Sequence, residues 1–492
     1  KPLSFQQMAQ AVALLSEAAR RIMAEHARGV CGIDPVIISY IGGSPLPRQI
    51  EAALLLYHHP AIVGMRPSEG KTLAGILNGY LNTLKGVKGG EAWDWGIFLT
   101  ERNAQVAGAI LDRLGKKVWA ILEGEVFVFE AGTNGARDYP HLRKVTAANG
   151  SSSRIRIKRE AFTQADVVYG SYSEMMFLWM RDWFGFEDEK IHPAPLPPWV
   201  FVEESDTALV EVINDPFALF KKFDPMDELW KKVYTWVYNR ATALRLNMDY
   251  VIRKGRVHIV SPKKEKKFYR ELRAQLLAIE GMTPVLYGQF HKGKSLVDLL
   301  LAAKEAELLY AADEQYVIQN QCIVFRDEVT GVLNRDKRWV RHITTFLEIK
   351  HGLPIQDEDA VYAVLTTFEF FKRILEAGVP VSAVMGVSSS EVRALLRRLY
   401  PFNIHILEPC FPDNRRDIVK YFPTPEKKQR YLARVVAEVA PSGWPMLINA
   451  RLPKEAQSLS DQITQINAAC PQMSVRVLNG YHPALEAPHW NS

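Results

Sequence analysis

Residues 65–72 read Met-Arg-Pro-Ser-Glu-Gly-Lys-Thr, and Gly70-Lys71-Thr72 has the residue types of a phosphate-binding loop. Backbone N–H groups around such a glycine point at phosphate oxygens. The lysine reaches the β- and γ-phosphates, and the threonine hydroxyl can hold Mg²⁺. The flanks agree with this reading. Ala61-Ile62-Val63-Gly64-Met65 is a short apolar run suited to a buried strand, and Leu73, Ile76, Leu77, Tyr80, Leu81 and Leu84 recur on one helical face. Strand, loop and helix in that order bring an anion to a helix N-terminus. Met65 stands where the common G-x-x-x-x-G-K-T pattern has its first glycine.

Hydrolysis of a bound nucleotide also needs a carboxylate near the metal and a group that positions the attacking water. Glu203-Glu204-Ser205-Asp206, which ends the apolar run Trp199-Val200-Phe201-Val202, is placed for both. Inside a strand consecutive side chains face opposite ways. Where the backbone turns at the strand's carboxyl end, Glu203 and Glu204 can both reach the metal region. Gln49, one turn into the helix before the loop strand, could bond an adenine edge, although its spacing alone is that of a surface glutamine. His58 and His59 read as the end of that helix. Residues 217–240 interleave Phe217, Phe220, Phe223, Trp230, Tyr234, Trp236 and Tyr238 with lysines. Such a stretch forms a core, grips an extended peptide or stacks bases.

These groups must be positioned by a chain of 492 residues, long enough for two to four domains with cores of their own. A net charge of +6 is mild at this length and permits acidic partners without demanding them. The four cysteines, Cys31, Cys322, Cys410 and Cys470, are far apart, which argues against a zinc site or a disulfide framework and suits a reducing cytosol. No apolar run approaches the ~20 residues of a membrane span. The start, Lys-Pro-Leu-Ser-Phe, has no signal-peptide core and no Met, as in a trimmed chain.

Periodicity predicts helices over 4–28, 48–58 and 103–114, and strands over Trp95–Leu99 and Lys117–Leu122. Strands alternating with helices imply an α/β fold with a mostly parallel sheet. Residues 149–159 read as a basic, alternating edge strand. From about 216 the texture changes. A hairpin is expected at 248–253 and 256–260 around Arg253-Lys254-Gly255, with helices over 264–279 and 295–310, together a separate α+β module. After about 318 the buried-strand texture returns. No internal repeat or low-complexity tract is found.

In order along the chain, these residues resemble the SecA family, the motor ATPases of bacterial protein export. Met65 to Leu73 is similar to M-[KR]-T-G-E-G-K-T-L. Ala165-Asp166-Val167-Val168-Tyr169-Gly170 with Glu174, Phe177 and Arg181-Asp182 resembles A-D-I-x-Y-G-T-N-N-E-F-x-F-D-Y-L-R-D. Val202 to Asp206 resembles V-D-E-V-D, and Asp327-Glu328-Val329-Thr330-Gly331 with Arg338-Trp339 resembles D-E-x-T-G-R and R-R-[WY]. Glu348 to Gly352 with Ile355-Gln356 resembles E-A-K-E-G-x-x-I-Q. The resemblance implies a RecA-like P-loop (helicase-type) fold over 1–215 and 326–395. It implies an inserted preprotein cross-linking-like domain over 216–325 and a partial second RecA-like fold over 396–492, with Pro445–Asn449 as its first strand and Val477–Asn479 as a later one. It implies ATP and Mg²⁺ as ligands, with ATP held by Gln49, Arg66, Ser68, Glu69, Gly70, Lys71 and Thr72. Mg²⁺ would be held by Thr72 and Glu203, and catalysis carried by Lys71 and Glu204. Gln49 becomes the candidate for adenine recognition.

The departures bear on activity. Pro67-Ser68 replaces Thr-Gly, and proline has no N–H to give a phosphate. Glu203 replaces an aspartate. The coupling motif G-M-T-G-T-A becomes Val384-Met385-Gly386-Val387-Ser388-Ser389, and the D-E-x-T-G-R arginine becomes Val332. The chain stops at Ser492, before the region that carries the family's arginine finger, the helical scaffold and wing and the zinc tail. Slow hydrolysis by this chain alone is therefore expected, since loss of such an arginine costs on the order of 10³–10⁵ in rate. The expected function is ATP-driven export of unfolded preproteins across the bacterial inner membrane. The implied partners are preprotein or signal peptide, a membrane translocation channel, an acidic phospholipid surface and a second copy of the chain as a homodimer, with no specific nucleic acid. The implied location is the cytoplasm, peripherally on the inner membrane. One alternative is a nucleotide-binding relative without efficient ATPase activity. The other is a nucleic-acid helicase, whose folds are built alike.

Overall fold

The computed structural model describes residues 2–132, 140–146, 151–185, 190–213, 216–222, 228–253, 255–285, 287, 296–319, 321–326, 333–334, 339, 341–355, 359–386, 389–410, 412, 416, 418–439, 442–443, 446–450 and 453–467. They fall into two compact units. One takes the described residues up to Lys221 together with those of Val361–Asp417, and the other takes those of Lys222–Ala360 and Ile418–Ala487.

The first unit is built on a nine-stranded sheet: β1 (Ala61–Gly64), β2 (Gly90–Asp94), β3 (Val118–Leu122), β4 (Glu125–Phe129), β5 (Leu142–Lys144), β6 (Val167–Ser171), β7 (Val200–Val202), β8 (Val381–Met385) and β9 (Asn403–Ile406). The order across the sheet is β9-β1-β8-β7-β2-β6-β3-β4-β5. All neighbours from β9 to β3 are parallel, while β4 and β5 close the edge as an antiparallel meander. β1, β2, β3 and β8 are buried along their whole length, as parallel strands covered on both faces must be.

One face is covered by the helices Phe5–Ala27, Pro47–Tyr57, Lys71–Thr83 and Ile97–Leu111, the other by Ser151–Gln164, Tyr172–Phe184 and Thr367–Glu376. The helix Phe5–Ala27 starts at a capping box made by Ser4 and Gln7. The helix Lys71–Thr83 is buried at every position from Leu73 to Thr83. It lies against β7 because Gly75 has no Cβ, which would sit 2.3 Å from the Phe201 ring. Asn78 Nδ2 on the same helix donates to Ser382 Oγ on β8 at 2.9 Å.

Several expected elements differ. Trp95–Leu99 is not a strand: the strand ends at Asp94 and a helix begins at Ile97. The basic segment expected as an edge strand is the helix Ser151–Gln164, whose Ile157, Ala161 and Phe162 join the core. The boundary expected at 395/396 falls inside the helix Ser390–Leu399, and the following strand, β9, pairs in parallel with β1. Residues 396–407 thus complete the first fold. Beyond them, the helices Pro425–Val439 and Pro453–Asn467 pack through Val436, Leu459 and Ile463. Met446–Asn449, expected as a strand, has no regular structure, and Val477–Asn479 lies outside the described residues.

The strands Pro216–Lys222 and Asp359–Thr366, where the chain leaves and rejoins the first fold, pair with each other. The unit between them is α+β, and it extends past the expected limit at 325. The helix Ile343–Lys350 packs Ile343, Phe346 and Leu347 into its core with Tyr234, Leu300 and Tyr316. Lys350 Nζ donates to the carbonyls of Ala306, Glu307 and Tyr310 at the end of the helix Leu296–Leu308. The apolar texture after 318 belongs to the meander Tyr316–Gln319, Cys322–Arg326 and Leu333–Asn334. Of the aromatic stretch, Tyr234 is buried with Trp230, Trp236 and Tyr238 packed around it, Phe217 packs against the core of the first unit, and the side chains of Phe220 and Phe223 lie outside what is described.

His59, between the helix Pro47–Tyr57 and β1, faces Asn82 Oδ1 at 3.3 Å. Burial, aided by the Lys85 ammonium, holds its imidazole down at about 4. A depressed histidine is neutral in the fold but takes a proton when unfolded. Its contribution is therefore complete above the unfolded value of about 6.5 and is lost as pH falls toward 4. Urea unfolding of His59→Gln should lose less stability between pH 7 and pH 4.5 than the parent, by on the order of 2 kcal/mol. Equal losses would show that His59 is not desolvated.

Candidate nucleotide-binding site

The loop after β1 is folded by its own side chains. Ser68 and Gly70 take left-handed backbone angles, φ +66° and +78°. Glu69 turns its carboxylate inward, where it accepts the N–H groups of Arg66 and Cys410, each at 3.1 Å. Gln49 braces the loop from the preceding helix. Its Nε2 donates to the Glu69 carbonyl at 2.9 Å and its Oε1 accepts the Leu46 N–H at 2.8 Å. Leu73 and Ala74 donate back to the Gly70 carbonyl. The N–H groups of Lys71 and Thr72 lie in the first turn, where a helix offers no partner.

Strand alternation sets the carboxylates. Ala92 on β2 and Phe201 on β7 face the helix Lys71–Thr83 and its core, so two residues on, Asp94 and Glu203 face it too. β2 and β7 are in register at Trp93 and Val202, which makes Asp94 and Glu203 neighbours at the carboxyl edge. Thr72 Oγ1 donates to Glu203 Oε1 at 2.8 Å. Glu204, at φ +53°, turns away from the strand direction and brings Oε1 to 3.6 Å from Lys71 Nζ. Asp206 Oδ2 accepts the N–H of Gly386 after β8.

Asn103 Nδ2 donates both to Asp94 Oδ1, at 2.7 Å, and to Glu203 Oε2. Its Oδ1 is held by the Arg102 guanidinium. Burial, then the charge of Glu203, pushes the Asp94 carboxyl well above the usual carboxylate range. Burial beside the same two acids pushes the Tyr169 phenol up. The donors, the cation and the acids therefore converge at the carboxyl ends of β1, β2, β7 and β8, where open α/β sheets bind ligands.

The SecA DEAD-like domain model matches residues 3–379. The chain belongs to this family. Among its relatives, the protein translocase subunit SecA of Nitrosomonas europaea is 24% identical over 489 residues, covering 98% of this chain and 46% of the relative. That of Paracidovorax citrulli is 26% identical over 442 residues, covering 87% and 43%. The chain thus spans under half the length of these relatives.

In this SecA DEAD-like fold the expected site residues do not all hold the same kind of position. Lys71, Thr72, Glu203 and Glu204 meet at one point. Gln49 and Glu69 are buried and bonded to the loop backbone. Arg66 gives its N–H to Glu69, and Ser68 is exposed. Asp166 secures the edge of the sheet through Lys88 and the Lys117 N–H, and Asp182 accepts the N–H groups of Ile191 and His192. Trp339 and Lys350 serve the second unit. Residues 327–332, Arg338, Gln356, Val387 and Ser388 lie outside the described residues. Asp94 and Asn103 were missed by sequence reasoning. Ending the strand at Asp94 would have revealed the first, since an acid there falls at the carboxyl edge.

Gly70→Ala tests the loop. A Cβ at Gly70 would lie 2.2 Å from Gln49 Nε2, at a φ that side chains rarely adopt. We expect at least tenfold weaker binding of a fluorescent ATP analogue, with the far-ultraviolet circular dichroism retained. Unchanged affinity would mean that the loop does not hold the phosphates.

Proposed function

We propose that this chain is the ATP-handling part of a SecA-type motor, coupling ATP hydrolysis to movement of unfolded polypeptide through a membrane channel. The observation that carries this reading is the pairing of Thr72 with Glu203 and of Lys71 with Glu204 at the helix start. A triphosphate would lie on the Lys71 and Thr72 amides and the positive end of the helix, with Lys71 Nζ on its β- and γ-oxygens. A hydroxyl beside a carboxylate is a donor set that suits Mg²⁺, so Thr72 and Glu203 would hold it. Bound Mg²⁺ neutralises charge on the phosphate oxygens. Glu204 accepts a hydrogen bond from the water that adds to the γ-phosphorus while the bond to the β–γ bridging oxygen breaks. Gln49 and Glu69 act by holding the loop. A role for Gln49 at the adenine edge would require it to release Leu46 or Glu69.

The relatives are named translocase subunits, so preprotein, signal peptide and a translocation channel are the proposed partners, with an anionic lipid surface and a second copy as further ones. The proposed place of action is the cytoplasmic face of the inner membrane. Among the described residues no helix is long and apolar enough to cross a membrane.

A second reading, nucleotide binding without efficient turnover, is favoured by the loop itself. Pro67 has no N–H, and the Arg66 N–H is already spent on Glu69. Calorimetry with Mg-ATP and steady-state phosphate release separate the two. Lys71→Ala should abolish measurable binding. Glu204→Gln should retain binding and lower turnover by on the order of 10²-fold. Binding with turnover indifferent to Glu204 would leave the second reading standing. Stimulation by RNA or DNA, and not by unfolded peptide, would instead favour a helicase.

A further inference from the structure

We propose that Asp94 is a second carboxylate of a divalent-cation site formed with Glu203 and Thr72, and that this site fills before nucleotide arrives. The proposal deepens the nucleotide-site reading and rests on it. Asp94 and Glu203 are 2% and 5% exposed and stand side by side on neighbouring parallel strands. Two buried carboxylates repel unless donors or a cation lie between them. The donors are few and all neutral. Asn103 Nδ2 serves Asp94 Oδ1 and Glu203 Oε2, and Thr72 Oγ1 serves Glu203 Oε1.

Asp94 Oδ2 is fully buried and, among the described residues, has no hydrogen-bond partner. Asn103 cannot turn to satisfy it, because Arg102 Nε and Nη2 hold its carbonyl oxygen at 2.9 and 2.7 Å. Arg102 makes its hydrogen bonds to the Asn103 amide and its charge offsets only part of the burial and repulsion at Asp94, whose carboxyl stays well above the usual carboxylate range. An oxygen with this surrounding, next to a second carboxylate and a hydroxyl, is a hard-cation donor. Mg²⁺ and Mn²⁺ take one or two carboxylates and complete their shells with water and phosphate oxygens. Two carboxylates in place before the phosphates arrive give a cation a reason to bind first, which a single one does not.

The test is Mn²⁺ binding by electron paramagnetic resonance on the full chain without nucleotide, with Asp94→Asn and Glu203→Gln beside the parent. The parent should bind one Mn²⁺, and each variant should bind it at least tenfold more weakly. In EDTA, Asp94→Asn should melt at the same or a higher temperature than the parent, because it removes repulsion, which excludes misfolding as the cause. Mn²⁺ binding by Asp94→Asn within twofold of the parent, or no binding by the parent until nucleotide is added, would overturn the proposal. Binding of a fluorescent ADP analogue in EDTA is read in parallel. Its absence in the parent would count against the nucleotide-site reading itself, whatever the Mn²⁺ result.

Discussion

The helix Lys71–Thr83 is buried on all sides from Leu73 onward, and the site depends on that constraint. A helix so enclosed can neither slide nor roll without opening voids, which close-packed interiors resist. Gly75 against Phe201 fixes its distance from β7, and Asn78 bonded to Ser382 fixes its level along β8. The first turn is therefore delivered to one place at the carboxyl edge. Glu203 leaves β7 beside it, so the Thr72–Glu203 bond joins two rigid elements. The short connections, residues 65–70 and 203–206, hold the left-handed residues Ser68, Gly70 and Glu204.

The phosphate loop is unusual in how much of its shape comes from its own side chains. Gln49 occupies the space against Gly70, and Glu69 gathers the Arg66 and Cys410 amides. These bonds favour a loop already curved, which lowers the ordering cost of binding an anion. They also use donors that an anion would otherwise receive, and Pro67 supplies none. In the proposed nucleotide site the balance would shift phosphate binding from the loop toward Lys71, Thr72 and the helix end. Such a site would hold nucleotide while hydrolysing it slowly, and the charge around the proposed metal position would matter more.

The loop between β1 and the helix Lys71–Thr83, those two elements themselves, and the place of the two glutamates after β7 were legible because each is a local pattern: an apolar run, a helical period, a short motif. The α/β class followed from the same alternation. The strand before Ile97 was misplaced because Trp95, Ile97, Phe98 and Leu99 are apolar in sequence, yet Ile97 onward winds into a helix and the true strand contains Glu91 and Asp94. A buried acid inside a strand hides it from any pattern that equates burial with apolarity. The segment 151–164 failed for the reverse reason, since its charges alternate as in a strand while Ile157, Ala161 and Phe162, with Ile155 beside them, face inward at helical spacing. The limits of the second unit were lost because Phe346 and Leu347 are apolar in either fold. Only contacts distant in sequence, such as Lys350 with the carbonyl ends of Leu296–Leu308, decide where they belong.

β2 carries two buried acids on opposite faces, and their surroundings separate a structural role from a chemical one. Glu91 is fully buried, yet both its oxygens are met by indole N–H groups of Trp93 and Trp179, with His192 Nε2 at 3.6 Å. Its carboxyl group, pushed up by burial, ties the helix Tyr172–Phe184 to the sheet through the indole N–H groups, and these donors account for its place there. Asp94, three residues later and on the other face, is nearly as buried and has one oxygen met by Asn103, a second that no described residue meets, and another acid beside it. Burial of a charged carboxylate without matching donors costs several kcal/mol, which is why the Asp94 carboxyl holds its proton well above the usual carboxylate range. Glu91 explains why a carboxylate can live inside this sheet, and Asp94 marks where the sheet is prepared for charge of the opposite sign.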